Sequence, residues 1–77
     1  MQYRRKPLFI TAEQFDGNTF PKGVKIHKGN GKPFVSTIHN QIVYIEKGDF
    51  IVPEPDGTHF YPIKENIFKD SYDMVWD

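Results

Sequence analysis

The sequence contains no cysteine and no long apolar segment, and both absences limit what the protein can be. Without cysteine, disulfides and thiolate metal sites are excluded, which fits a reducing cytoplasm. No segment approaches the ~20 apolar residues of a membrane-spanning helix. The basic start MQYRRKPLFITAEQFDG also lacks the apolar core of a signal peptide. We therefore expect a cytoplasmic protein that does not associate with a membrane.

The chain is short, and its 77 residues predict one domain over residues 1–77 with a single small core. A domain of this size buries only about 60% of the surface that its unfolded chain exposes. Aromatic residues make up 16% of the chain, and they help such a core because each one buries a large area. Association with further copies is another common remedy, so we expect a homo-oligomer.

Net charge is zero, but the charges are unevenly distributed along the chain. Residues 1–32 hold seven basic and two acidic residues, a net charge of +5. Residues 33–77 hold three basic and eight acidic residues, a net charge of −5. In the folded chain this split gives either a bipolar surface with one face for anions, or a cancelled field if the two halves interleave. Because nucleic-acid-binding domains are normally basic overall, we do not expect a nucleic-acid polymer as the partner.

Turn residues divide the chain into short segments rich in strand-forming residues. PLFITAEQF alternates in polarity as a half-buried strand does, and the DGNTFPKG that follows it is rich in turn residues. Pro53 has no N–H and marks a strand end or a sheet edge. The sequence predicts strands at 7–15, 24–27, 33–38, 41–46, 50–54, 58–63 and 72–76 and a short helix at 64–71. The predicted fold class is mainly β: a small antiparallel barrel or sandwich of six to seven short strands with one short C-terminal helical turn, forming a single β-rich domain.

The sequence offers little for catalysis or metal binding. His27, His39 and His59 are separated by gaps of 12 and 20 residues, without the close pairing that is typical of a metal site. Ser36 and Ser71 lack the flanking glycines of a nucleophile elbow. Paired catalytic carboxylates need an enclosed cleft to shift their pKa values, and so small a domain rarely provides one. We expect no enzyme activity, no metal site and no cofactor.

The predicted ligand-binding residues lie in three segments. In HKGNGKP, the backbone N–H groups of a Gly-rich turn can bind an anion, although an ordinary hairpin has the same composition. In YRRKP, arginine can hold a phosphate bidentately, but a short basic run also keeps a terminus soluble. In THFYPI, alternation places the histidine and the tyrosine on one strand face and Phe60 on the other. The predicted residues are Tyr3, Arg4, Arg5, Lys28, Asn30, Lys32, His59 and Tyr61.

Two segments together resemble a family of small, uncharacterised phage and prophage proteins. They are YRRKPLFITAEQFDG and GDFIVPEPDGTHFYPIKENIFKDSY, which cover about half of the chain. Family members typically begin with Tyr-Arg-Lys-Lys-Pro and end with Gly-Asp-aromatic-Ile, a Tyr-Pro corner and an Ile-Phe helical turn. The chain departs from this pattern at Lys47, where proline is usual, at His59, where many members have an acid, and at Phe15, where tryptophan is common.

The resemblance implies a phage accessory protein, and it does not imply a particular activity. Phages carry many small proteins that neutralise host systems, either by blocking a protein or by sequestering a signalling nucleotide. We therefore expect a non-enzymatic host-modulating or counter-defence protein in the cytoplasm of an infected bacterium. In this hypothesis it sequesters a small anionic ligand, a cyclic or other signalling nucleotide, as a homo-oligomer. The alternative is a protein-interaction module that blocks a host protein or attaches to a virion component.

Overall fold

The computed structural model describes residues 1–2 and 9–73 of the chain. These residues form six short strands followed by one helix. In chain order they are β1 (Glu13–Gln14), β2 (Lys25–Ile26), β3 (Pro33–Ser36), β4 (Ile42–Tyr44), β5 (Phe50–Pro53), β6 (Phe60–Ile63) and α1 (Glu65–Ser71). No helix in the described part of the chain has the length and apolarity that crossing a membrane requires.

The strands form two antiparallel sheets of three strands each. Sheet I has the order β1-β5-β6, and sheet II has the order β2-β3-β4. Sheet II is built from one continuous stretch of chain, whereas sheet I joins β1 to a distant hairpin. The prediction of a mainly β, antiparallel fold with a short C-terminal helix is confirmed, and the strands described here do not close into a barrel.

The core lies between the two sheets and takes side chains from both. Its central cluster consists of Phe15, Val35, Ile45, Ile51 and Phe60, and Val52 is also buried. In a strand, alternate residues point to opposite faces, so only every second residue can reach the core. Shifting a strand by one residue would move its core side chains to the other face, and this fixes the register of these short strands. Burying one such side chain contributes about 1.5–3 kcal/mol. Because this core has few side chains, the loss of any one of them removes a large share of its stabilising free energy.

In the first predicted strand, fewer of the described residues pair than the sequence predicted. In the predicted strand 7–15, only Glu13–Gln14 pairs with another strand, and Phe9 is 77% exposed. Residues 7 and 8 lie outside the described residues. At the other end, Tyr72 caps α1, and residues 74–76 of the predicted last strand lie outside the described residues. Pro62 is the third residue of β6, an edge strand, and β6 ends one residue later at Ile63, where the predicted strand 58–63 also ends.

Helix α1 packs on sheet I through a stack of aromatic rings. The ring centroids of Phe50 and Phe68 lie 4.0 Å apart at an interplanar angle of 8°, and those of Phe68 and Tyr72 lie 4.9 Å apart at 26°. Phe50 alternates with the core residue Ile51, so this stack lies on the face of sheet I that points away from the core. Offset aromatic stacking contributes about 0.5–1.5 kcal/mol per pair beyond burial. The stack compensates for a helix that has no buried residue and no side-chain cap.

The turn after β1 is held by the carboxylate of Asp16, which makes its stability dependent on pH. Asp16 accepts hydrogen bonds from the N–H groups of Asn18 and Thr19, at 2.8 and 2.7 Å, and from the Thr19 hydroxyl. These bonds, led by the Thr19 hydroxyl, lower the pKa of Asp16 from 3.8 to about 2.

We expect the stabilisation from Asp16 to be complete above pH 3.8 and to be lost as the pH falls through about 2. The sign follows because the unfolded chain takes up the proton at the higher pH. An NMR titration of the carboxyl group measures this pKa, and Thr19→Ala is expected to raise it. Equal values near 3.8 in both proteins would contradict the assignment.

Candidate functional site

Sheet II carries lysines and no acidic residue. Between Gly17 and Ile45 the sequence contains no Asp or Glu, and all three strands of sheet II come from this stretch. Lys25, Lys28 and Lys32 are exposed, and within the described residues no carboxylate lies within ion-pair distance of them. No carboxylate therefore neutralises these lysines within the described residues, because every strand of sheet II comes from the stretch without acidic residues.

The face of sheet II that points away from the core is aromatic. Phe34 lies directly opposite Tyr44 on one side and Lys25 on the other, so the three side chains form a row across the sheet. The His27 ring completes the group, with its centroid 6.0 Å from both aromatic rings. Tyr44 is exposed and Phe34 is half-buried. We call the face formed by Lys25, His27, Phe34 and Tyr44 the aromatic face.

The turn between β2 and β3 uses its own backbone amides. The N–H groups of Gly29 and Asn30 donate to Nδ1 of His27 at 3.0 and 3.3 Å. The N–H of Gly31 donates to the His27 carbonyl, and that of Lys32 donates to Oδ1 of Asn30. The backbone nest expected for an anion is therefore already occupied. The side chains of Lys28 and Lys32 are what this turn offers to an anion.

Asn30 also positions a residue of the aromatic face. Its side-chain amide donates a hydrogen bond of 2.9 Å to the Tyr44 hydroxyl. Because that hydroxyl accepts from Asn30, its own proton is directed elsewhere and can be donated to a ligand oxygen. Asn30, predicted as a ligand residue, is thus placed to orient Tyr44. Tyr44 and His27 were missed as site residues, and the β2–β3–β4 register that places them on the aromatic face is not visible in the sequence.

The structure does not bring all of the predicted site residues together. Tyr61 alternates with the core residue Phe60 on β6, so it points away from the core on sheet I. Lys28, Asn30 and Lys32 border the aromatic face on the other side of the core. The predicted alternation of Tyr61 and Phe60 is thus reproduced, but Tyr61 cannot share one small ligand with the β2–β3 turn. Tyr3, Arg4 and Arg5 lie outside the described residues.

His59 is held in place by the turn that precedes it. The Asp56 carboxylate accepts the N–H groups of Thr58 and His59, each at 3.0 Å, and it also contacts Nδ1 of His59. The backbone bonds come first in lowering the pKa of Asp56 well below its usual range, with the His59 ring adding to them. The Thr58 hydroxyl lies 3.2 Å from the same nitrogen, Nδ1. Carboxylate and hydroxyl therefore meet on one side of the ring, which is not the arrangement of a hydrolase triad.

Tyr61 lines a broad apolar groove on sheet I. The groove has a volume of about 670 Å³ and is walled by Phe9, Ile10, Thr11, Pro53, Glu54, Pro55 and Tyr61. Burial raises the pKa of Tyr61, with smaller contributions from the charges of Tyr72 and Glu54. The phenol is therefore neutral near pH 7 and acts there as a hydrogen-bonding group.

Metal chemistry finds no support in the part of the chain that the structure describes. Among residues 1–2 and 9–73, no group of three or more His, Cys, Asp or Glu side chains is placed to hold a metal ion. Several acidic residues there form ion pairs instead. Asp49 and Glu46 pair with Lys64, directly before α1, and Glu65 pairs with Lys69 within α1. The aromatic face instead offers ring surface together with the positive charge of the lysines in and beside it.

Comparison with known proteins adds no further constraint. No protein-family model matches the chain, and no curated protein and no solved structure matches it. The candidate site therefore stands on the geometry of the aromatic face and its lysines.

Proposed function

We propose that the protein is a non-enzymatic binder that sequesters a small anionic ligand, in the first place a nucleotide, on the aromatic face of sheet II. In the setting implied by the resemblance, it is a phage-type accessory protein that modulates its host or counters host defence in the cytoplasm of an infected bacterium. The single observation that carries the binding proposal is the row formed by the exposed Tyr44, the half-buried Phe34 and Lys25 on a sheet that has no acidic residue.

The aromatic face offers each part of a nucleotide a chemically matched partner. A base can stack on Phe34 and Tyr44, which contributes about 1–3 kcal/mol per base in proteins that bind single strands. A phosphate group near the same face meets the ammonium groups of Lys25, Lys28 and Lys32. The Tyr44 hydroxyl, oriented by Asn30, can donate to a phosphate or sugar oxygen.

A mononucleotide or a small cyclic nucleotide suits this face better than a long strand. Zero net charge gives little electrostatic attraction for a polyanion, and the acidic residues of sheet I and α1 would repel a strand that passes over the edge of sheet II. Sequestration needs only tight binding, and a binder that performs no chemistry is consistent with the arrangement of Asp56, Thr58 and His59.

Titration calorimetry against a panel of linear and cyclic nucleotides tests the proposal. We expect heat with at least one of them, an affinity that falls as salt is raised, and recovery of the ligand with unchanged mass. Lys28→Ala combined with Lys32→Ala is expected to weaken binding about tenfold, since two charge contacts to phosphate are lost. Phe34→Ala is expected to weaken it by a similar factor, because one stacking surface is lost.

Lys69→Ala is the control for a lysine outside the site, because it removes one positive charge from α1, where Lys69 pairs with Glu65, against the two charges that the sheet II variant removes. It is expected to leave the affinity unchanged. Absence of heat with every nucleotide, in a folded sample, would overturn the proposal. A loss of affinity in Lys69→Ala as large as in the sheet II variant would show that general charge, and not the aromatic face, attracts the ligand. Conversion of the bound nucleotide would show an enzyme.

A second candidate function is a protein-interaction module that blocks a host protein or attaches to a virion component. The observation in its favour is the apolar groove beside Tyr61, which includes the highly exposed Phe9 and the two prolines of β5 and its following turn. Grooves lined by aromatic and proline side chains suit extended peptide segments. A pull-down from bacterial lysate that recovers one stoichiometric partner, lost in a Phe9→Ala variant, would support this function instead.

A further inference from the structure

Within the described residues, strand β4 is an edge of sheet II whose own side chains do not protect it. The two sheets have four edge strands in the described residues: β1, β6, β2 and β4. Natural proteins protect such edges with charged side chains or proline, because unpaired N–H and C=O groups recruit further strands. β1 carries Glu13, β2 carries Lys25 and β6 carries Pro62. β4 consists of Ile42, Val43 and Tyr44 and has neither protection.

The hydrogen-bond register identifies which backbone groups of β4 face outward. Hydrogen bonds run from Ile45 N–H to the Pro33 carbonyl at 3.1 Å and from Thr37 N–H to the Gln41 carbonyl at 2.9 Å. In an antiparallel pair, bonded residues alternate with non-bonded ones, so residues 41, 43 and 45 bond toward β3. The N–H and C=O groups of Ile42 and Tyr44 therefore point away from β3, toward the free edge.

We propose that a second copy of this chain occupies the edge, with β4 paired antiparallel to β4 around a two-fold axis at Val43. In this register Ile42 exchanges N–H and C=O bonds with Tyr44 of the second copy, and Tyr44 does the same with Ile42 of the second copy. Val43 lies opposite Val43 of the second copy in a non-hydrogen-bonded pair. The two copies of sheet II join into one continuous six-stranded sheet.

The side chains of β4 are complementary to themselves in this register. Each Ile42 side chain lies beside a Tyr44 ring of the other copy on the outer face, and aromatic and β-branched residues pair favourably across strands. Ile42 is 52% exposed in the single chain, so pairing covers apolar surface that is otherwise exposed to solvent. Residues 33–45 contain no charged Asp, Glu, Lys or Arg side chain, so no like charges meet at the axis.

The dimer does not require the nucleotide proposal, because the two copies pair through the backbone of the β4 edge whether or not a ligand binds. Sedimentation equilibrium without any ligand therefore tests it separately. We expect a dimer at micromolar concentration, and we expect Ile42→Lys to raise its dissociation constant by about tenfold or more, because lysine on an edge strand opposes pairing. Ile67→Lys is the matched control, since Ile67 is 54% exposed on α1, and it is expected to leave the constant unchanged.

Cysteine cross-linking tests the register, and the chain has no cysteine of its own to interfere. Residues opposite each other in a non-hydrogen-bonded pair have Cα atoms about 4.5 Å apart, within the range of a disulfide. Val43→Cys is therefore expected to form a disulfide-linked dimer on oxidation. Ile42→Cys is not expected to do so, because diagonal partners lie about 7–8 Å apart, at or beyond that range.

The two measurements give outcomes that decide the proposal. A dimer weakened by Ile42→Lys and captured by Val43→Cys supports it. A monomer at high concentration, an oligomer that Ile42→Lys leaves intact, or equal cross-linking of Val43→Cys and Ile42→Cys would each overturn it. Circular dichroism of each variant confirms that the compared proteins are folded.

Discussion

Replacing Gly23 with alanine is expected to destabilise the protein by about 3 kcal/mol or more, for two additive reasons. Gly23 has a φ of +94°, where an L side chain is strained. A Cβ at this position would also overlap the Phe60 ring, with Cγ of that ring only 2.6 Å away. Phe60 belongs to the core and cannot swing out without losing its burial. A domain of this size has a stability of only about 5 kcal/mol, so Gly23→Ala is expected to leave a large part of the protein unfolded at 37 °C.

Gly31→Ala separates the two causes. Gly31 has a φ of +71°, but no atom lies within 4 Å of the position where its Cβ would be. It therefore reports the backbone strain alone, which we expect to cost about 1 kcal/mol. Urea denaturation of both variants measures the difference. Equal losses of unfolding free energy in the two variants would show that the Phe60 ring moves away from the added Cβ without reducing stability.

A double substitution tests the contact directly. Phe60→Ala removes every ring atom that the added Cβ would overlap, so Gly23→Ala is expected to cost less in this background than in the wild type. The difference is a coupling energy between two residues that are 37 positions apart in the sequence. Nothing in the segment FPKGVK indicates that its glycine supports a core ring, since PKG reads equally well as an ordinary turn.

The sequence predicted the elements of the fold better than their lengths. Each of the five predicted strands between residues 24 and 63 exists, and the helix predicted at 64–71 begins one residue later. Turn residues and alternation are local signals, so they identify these elements without knowledge of the fold. Strand length depends on the partner: the 7–15 pattern alternates well, yet only Glu13–Gln14 meets β5 within the described residues.

The burial of the aromatic residues was the weaker prediction. Phe15 and Phe60 are buried as expected, but Phe9 and Phe20 are largely exposed, and Phe50 and Phe68 stack between α1 and sheet I. Hydrophobicity shows that such rings prefer burial, but only the topology decides which of them the small core accommodates. Phe20 shows the difference, because it stacks on the buried Phe15 at 5.9 Å and remains half in solvent.

The positive charge of the candidate site was predictable from the sequence, but the arrangement of its side chains was not. The stretch without acidic residues between Gly17 and Ile45 stays together because sheet II is made of consecutive strands, and this outcome depended on the strand order. The glycine-rich turn does connect a hairpin, but its backbone N–H groups donate to the side chains of His27 and Asn30 instead of facing an anion. His27 was read as one of three unremarkable histidines, since no sequence pattern indicates that a ring nitrogen will accept two backbone bonds.

Asp49 is the second residue whose replacement is expected to have a large effect. It is only 3% exposed, and its carboxylate accepts the Glu46 N–H at 3.0 Å and lies 3.3 Å from Nζ of Lys64. Its backbone carbonyl accepts the N–H of Phe15, so the same residue ties the 46–49 turn to the segment after β1. Lys64 directly precedes α1. Asp49 thus connects a turn, sheet I and the start of the helix.

We expect Asp49→Ala to lower the free energy of unfolding by about 2 kcal/mol. Most of this loss comes from leaving the partly buried Glu46 N–H without an acceptor, which costs about 1–3 kcal/mol. The ion pair contributes the smaller share, because Lys64 is more than half exposed and solvent screens its charge. Asp49→Asn keeps an oxygen that can accept from Glu46, and we expect it to cost about half as much.

Asp70→Ala is the matched control, because it removes an exposed carboxylate from the last turn of α1. It is expected to change stability by less than about 0.5 kcal/mol and to favour the folded state, since a negative charge is unfavourable at a helix C-terminus. Thermal or urea unfolding of the three variants measures these effects. A loss in Asp49→Asn as large as in Asp49→Ala would show that the charge, rather than the accepted N–H, carries the stability.

The pH dependence of Lys64 provides an independent check on the same contact. The hydrogen bond from Lys64 to Asp49 comes first in raising the pKa of Lys64 above 10.5, and the charges of Asp49 and Glu46 add to it. A lysine whose pKa is higher in the folded chain stabilises the fold below pH 10.5 and loses that contribution as the pH rises through the folded value. The stability of the wild type is therefore expected to fall more steeply in strong alkali than that of Asp49→Ala. Parallel alkaline profiles would place the origin of the Asp49 effect wholly in the 46–49 turn.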